Sequence, residues 1–130
     1  MSTSKTPGDI PLARFLLQRS HFAPANHRVK YSAFMPNRDG ETSVFDIHEL
    51  TETEIWEMGR RYVAAPQGRS LCGRADTFVS IVENLGLMVD FDDHPPRHAN
   101  ITGWPHEKSA QKLKALELAS NATLRIYELG

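Results

Sequence analysis

The run Asp92-Asp93-His94-Pro95-Pro96-Arg97-His98-Ala99-Asn100 gathers two carboxylates, two imidazoles, a guanidinium and an amide around a diproline. Such a set can hold an anion and move a proton. The Arg97 guanidinium offers a planar fork that matches a phosphate or carboxylate, and the His98 imidazole can supply a proton. Asn100 and Arg74 are further donors for the same ligand. The alternative is a polar surface loop in which Asp92 or Asp93 pairs with Arg97. His94 and His98 are four apart, a spacing that brings two metal ligands onto one helix face, but Pro95 and Pro96 interrupt a helix there. A set that adds Asp46 or His48 follows no ligand-spacing rule, so neither a metal nor a cofactor is expected.

Asp46 and His48 form a second pair of candidate catalytic groups beside Arg97 and His98. Two positions apart on a strand they share a face, yet stand about 7 Å apart along it. The simpler expectation is an Asp46 ion pair with Arg28 or Lys30 across a hairpin. Gly68-Arg69-Ser70-Leu71-Cys72-Gly73-Arg74 has two glycines and two arginines but lacks the lysine and helix start of a phosphate-binding loop. Cys72, with no histidine beside it, is expected to be a small buried hydrophobe.

These groups must be positioned by ordinary elements. Asp9 is placed to cap a helix through Pro11, Leu12, Phe15 and Leu16, ending near Ser20. Val29 to Met35 alternates like a strand, Asn37-Arg38-Asp39-Gly40 is turn chemistry, and Thr42 to Glu49 alternates again, which predicts an N-terminal β-hairpin. Thr51 and Glu54 match a capping box that opens a helix to about Ala64, with Ile55, Met58, Tyr62 and Ala65 along its apolar stripe. Beyond Gly73, residues 75–80, 87–91, 99–104 and 124–129 read as strands. A short helix is expected at 81–85 and a longer one at 107–119, the latter with Leu113, Leu116 and Ala119 on its apolar side and Ala110, Ala115 and Leu118 widening it.

The chain of 130 residues is expected to form a single α+β domain over 9–130 behind a frayed start at 1–8. Its sheet should be mixed or antiparallel, covered by about three to four helices. Hydrophobic residues at 40% and charged residues at 24% are ordinary for a folded chain, and a net charge of -1 gives no excess field for nucleic acid or anionic membrane. One cysteine excludes an internal disulfide, and with no apolar run of signal-peptide or membrane-span kind the expected location is the cytoplasm. Trp104, between Gly103 and Pro105, is expected as a core or hinge aromatic, so nucleic-acid binding is disfavoured.

Gly73-Arg74-Ala75-Asp76, the segment Arg97-His98-Ala99-Asn100-Ile101-Thr102-Gly103-Trp104-Pro105 and the helix ending Leu116-Glu117-Leu118-Ala119 resemble short bacterial proteins with no assigned activity. The resemblance covers the second half of the chain and implies a bacterial source, with no catalytic residue to transfer. Two functions therefore stand. The first is a non-enzymatic accessory module that binds a larger partner protein or a second copy of itself. The second is a small enzyme or ligand binder acting on a phosphate-containing or nucleotide-like molecule through Arg97 and His98, supported by Arg74, Asp46 or His48.

Overall fold

The computed structural model describes residues 10–127. The start at 1–8, the Asp9 cap and the last positions of the closing strand lie outside the described residues. Pro11–Leu16 is a strand, β1, where a helix was expected. Leu12 and Leu16 are fully buried on one side while Ala13 and Phe15 are buried on the other, because β1 lies inside a sheet covered on both faces. A strand buried on both sides loses its polar alternation and reads like a short helix. Pro11 occupies its first position, where a missing N–H is tolerated.

Seven further strands follow: β2 (Phe22–Ala23), β3 (Arg28–Val29), β4 (Thr42–Asp46), β5 (Gly73–Phe78), β6 (Met88–Phe91), β7 (His98–Thr102) and β8 (Thr123–Ile126). Six of the eight form one antiparallel sheet in the order β6-β7-β4-β1-β5-β8. With its three α-helices this is a single α+β domain. The N-terminal hairpin is there, but it is the β2–β3 ribbon, in the register Phe22↔Val29 and Ala23↔Arg28. The alternation from Val29 to Met35 does not continue as a strand: Tyr31–Ala33 is a 3-10 turn whose Ala33 is buried in the core. The Asp39-Gly40 turn forms, with Gly40 at φ 77° and Asn37 Oδ1 accepting from the Asp39 and Glu41 N–H groups. It delivers the chain into β4, which pairs with β1 and β7 instead of the segment before the turn.

One face of the sheet, with Leu12, Leu16, Val44, Ala75, Ile101 and Leu124, is covered by segment 22–34 and two helices, α2 (Val79–Asn84) and α3 (Lys108–Ser120). The other face, with Ala13, Phe15 and Phe45, is covered by α1 (Glu52–Gly59). The Thr51/Glu54 capping box opens α1 as expected, each side chain serving the other's backbone N–H. After Gly59 the helix widens into a π-helical turn, Arg60–Ala64, and the change of phase buries Ala64 where Ala65 was expected. In α3 Ala115, Leu118 and Ala119 face inward as expected, while Leu113 and Leu116, expected at the centre of the stripe, face outward. The strong apolar residues at 113, 116 and 118 do not define one stripe, and packing against Tyr31–Ala33 and β3 selects the smaller alanine side.

Candidate functional site

Beyond the edge of α1, strands β4, β7 and β6 carry polar side chains on the same face. In β4 the alternation that turns Phe45 toward α1 also turns Ser43 that way. The register Ser43↔Asn100 and Phe45↔His98 then makes His98 the diagonal neighbour of Ser43. Asp92 immediately follows β6, where the hairpin back to β7 begins and the Asp93 N–H donates to the His98 carbonyl.

These placements produce a continuous chain of hydrogen bonds. Ser43 Oγ is 2.7 Å from His98 Nε2, and His98 Nδ1 is 2.8 Å from Asp92 Oδ1. The Asn100 side-chain amide donates to Asp92 Oδ2 at 3.2 Å, and the His94 N–H donates to Asp92 Oδ1. The bond from His98, above all, holds the Asp92 carboxyl below its usual range against the opposing effect of burial, with the His94 and Asn100 bonds adding to it. An ionised Asp92 accepts only, so Nδ1 of His98 carries the proton and Nε2 is left to accept from the Ser43 hydroxyl. The Phe45 ring meets the imidazole edge to face at 5.2 Å and fixes its plane. Asn100, expected to touch a ligand, gives one of its side-chain N–H groups to Asp92.

Arg97 follows a different course. Its φ of 71° turns the backbone, and its Nη1 donates to the carbonyls of Asp46 at 3.2 Å and His48 at 2.9 Å. Its ion pair is with Asp46, at 3.7 Å. The expected Asp46 pair with Arg28 or Lys30 does not form, because β3 is not the neighbour of β4. Nor do Asp46 and His48 share a strand face: β4 ends at Asp46, whose Oδ1 accepts from the His48 N–H in the turn that follows. Arg97, Asp46 and His48 thus form a clamp between the 92–97 loop and the start of α1, apart from the Ser43–His98–Asp92 chain.

Arg74 lies on β5, separated from β7 by β1 and β4. It is 1% exposed, donates from Nε to Asp76 and from both terminal nitrogens to Glu52, and stands 4.6 Å over the Trp56 ring. Burial works against its charge, but the bonds to Glu52 and Asp76 more than offset this and raise its pKa. The two acids diverge. The Arg74 hydrogen bond lowers the exposed Glu52, whereas burial raises Asp76 in spite of the same cation. Each nitrogen of Arg74 donates to one of these acids, and the Glu52 bonds hold α1 to the sheet.

A groove of about 390 Å³ opens between α1 and the diproline loop, lined by Leu50, Met58, Tyr62, Pro96 and Arg97. A larger cleft of about 600 Å³ runs beside α3, where Leu116 lines the wall opposite His27 and Tyr31. Met88 and Phe91 are exposed on β6, an edge strand. Cys72 is half buried against the core, and the Trp104 indole donates to the Ile101 carbonyl. Among the described residues no helix is long and apolar enough to cross a membrane, and no three His, Cys, Asp or Glu side chains gather as metal ligands.

Ser43 is the residue the sequence reading missed. Its signal was the period of two in β4, which aligns Ser43 with Phe45. Which strand lay alongside was not legible, so His98 could not be assigned to it. No family model, curated protein or solved structure matches the chain.

Proposed function

We propose that the protein is a small serine-dependent acyl-transfer enzyme in which Ser43 is the nucleophile, His98 the general base and Asp92 the group that orients His98. The observation that carries this reading is the hydrogen-bond chain from Ser43 Oγ to His98 Nε2 and from His98 Nδ1 to Asp92, at 2.7 and 2.8 Å. The Ser43 oxygen attacks the acyl carbon and its proton passes to Nε2. The bond to the leaving oxygen or sulfur breaks and that atom takes the proton from His98. Water, deprotonated by the same imidazole, then attacks the acyl carbon, the acyl–Oγ bond breaks, and Ser43 Oγ takes the proton back from His98 as the acid leaves.

The donor class follows from what surrounds the serine. Asn100 gives one N–H to Asp92, and the backbone amides of β4 and β7 serve the ladder, so among the described residues the cluster has a base and a nucleophile with a single Asn100 N–H, rather than a donor pair, left for an oxyanion. Such a site suits activated acyl donors, thioesters and aryl esters, and does not suit amides. The test is incubation with an aryl acetate followed by mass spectrometry of the intact chain and its peptides. Acetylation of Ser43 in the wild type, absent in Ser43→Ala and His98→Ala, supports the reading. Turnover that survives in Ser43→Ala overturns it.

A second reading, an accessory module working in the cytoplasm, has the β6 edge in its favour. That strand has no outer neighbour, and Met88 and Phe91 are 60% and 41% exposed on it. The partner is an extended, apolar segment of another protein that adds beside β6, its backbone satisfying the open edge. Met88→Lys/Phe91→Lys should abolish such a complex and leave ester turnover intact. A complex that tolerates both lysines removes this reading.

A further inference from the structure

Strands β1 and β4 part company early. Their ladder comprises only Leu12↔Asp46 and Ala13↔Phe45, while β1 continues beside β5 through Leu16. In the gap the Arg14 side chain replaces the missing backbone donors: Nε donates to the Ala33 carbonyl at 2.8 Å and Nη1 to the Ser43 carbonyl at 3.0 Å. Arg14 forms no ion pair among the described residues. Burial pulls its pKa down to about 10, still far above neutrality, so it remains a cation held inside the protein without a carboxylate beside it.

Arg14 also lines a small cleft of about 100 Å³, with Gln18, His21, Gln67 and Arg69 as its other polar residues beside the apolar Phe15, Leu17 and Val63. The lining supplies three cationic or potentially cationic groups and two amides, and no acid. Arg69 belongs to the Gly68-to-Arg74 segment that resembled an incomplete phosphate loop, and its guanidinium makes no side-chain bond among the described residues. The His21 ring is kept from charging first by burial and then by Arg14. Of the five N–H donors of a guanidinium, Arg14 uses two on carbonyls, which leaves donors for a further acceptor.

We infer that this cleft is a binding site for one tetrahedral oxyanion, phosphate or sulfate, gripped by Arg14 and Arg69 with His21 and the two glutamines completing the shell. An oxyanion supplies the countercharge that the half-buried Arg14 lacks, its size suits the cleft, and arginine donors fit its geometry. The site uses none of the Ser43, His98 or Asp92 side chains, although Arg14 also donates to the Ser43 carbonyl.

The test is titration of the whole chain with inorganic phosphate and with sulfate at constant ionic strength in chloride, following the His21 ring by NMR and heat by calorimetry. Saturable binding of either oxyanion that raises the His21 pKa, and that weakens tenfold or more in Arg69→Gln and in His21→Gln, is the expected result. Arg14 also supports backbone carbonyls and its replacement endangers folding, so the two outer residues carry the test. A response to chloride equal to that of the oxyanions, no saturation, or equal affinity in Arg69→Gln overturns the inference.

Discussion

The Ser43 hydroxyl and the His98 imidazole lie 2.7 Å apart across neighbouring strands, although 55 positions separate them in the chain. If they act as one unit, their effects on ester turnover are not additive. Ser43→Ala and His98→Ala should each lower turnover by a factor of about 10² or more, and the double variant should be no worse than the single ones. Additive losses in a kinetic double-mutant cycle would mean that the two side chains act separately.

Asp92 gives a pH signature. Its folded carboxyl titrates below the unfolded value, so it contributes stability that is present above the unfolded pKa of about 3.9 and disappears as pH falls through the folded pKa. Asp92→Asn should therefore flatten the acid limb of a stability profile below about pH 4 and cost little stability in strong acid. Urea unfolding between pH 2 and 7 measures this, and an unchanged acid limb in Asp92→Asn would contradict the Asp92–His98 bond. The same variant should also lower ester turnover, because an amide in place of the carboxylate no longer secures the proton on Nδ1.

What the sequence disclosed and withheld has a physical pattern. The capping box at Thr51 and Glu54, the turn at Gly40 and the strands around Ala75, Val89 and Ile101 were readable because their signals are local. The class, an α+β domain, followed from them. β1 was misread because burial on both faces removes the alternation that marks a strand, and the hairpin was misplaced because pairing is decided by the whole sheet. The same limit governed the site. Asp92, His98 and Asn100 stood out in one segment, but Ser43 joins them only through the β4–β7 register, and Arg97 leaves them because its positive φ points it at carbonyls.

Gly59 is a contact between helix and sheet. A Cβ there would stand 2.5 Å from the Phe15 ring, which is itself 4% exposed and packed against Phe45. Glycine in a helix normally costs about 1 kcal/mol against alanine, so its presence here reflects the closeness of α1 to β1. Gly59→Ala should thus destabilise by about 1–3 kcal/mol despite the better helix former, read from urea or thermal unfolding. A more stable Gly59→Ala would show that α1 can lift from Phe15 without loss.

Arg74 and its acids test the other end of the sheet. Because Asp76 is mostly buried and its pKa is already raised, removing the cation leaves a desolvated carboxyl without its hydrogen-bonded partner and with only the weaker attraction of Arg125, and Arg74→Met should cost about 3–5 kcal/mol. The Glu52 arm differs: its side chain is 62% exposed, so Glu52→Gln should cost no more than about 1 kcal/mol. If the penalty in Arg74→Met comes from the stranded Asp76, adding Asp76→Leu should recover part of it, since the pair is then replaced by apolar groups of similar size. Equilibrium unfolding of the two single variants and the double variant decides the matter. A double variant no more stable than Arg74→Met would place the contribution of Arg74 in its stacking on Trp56 instead.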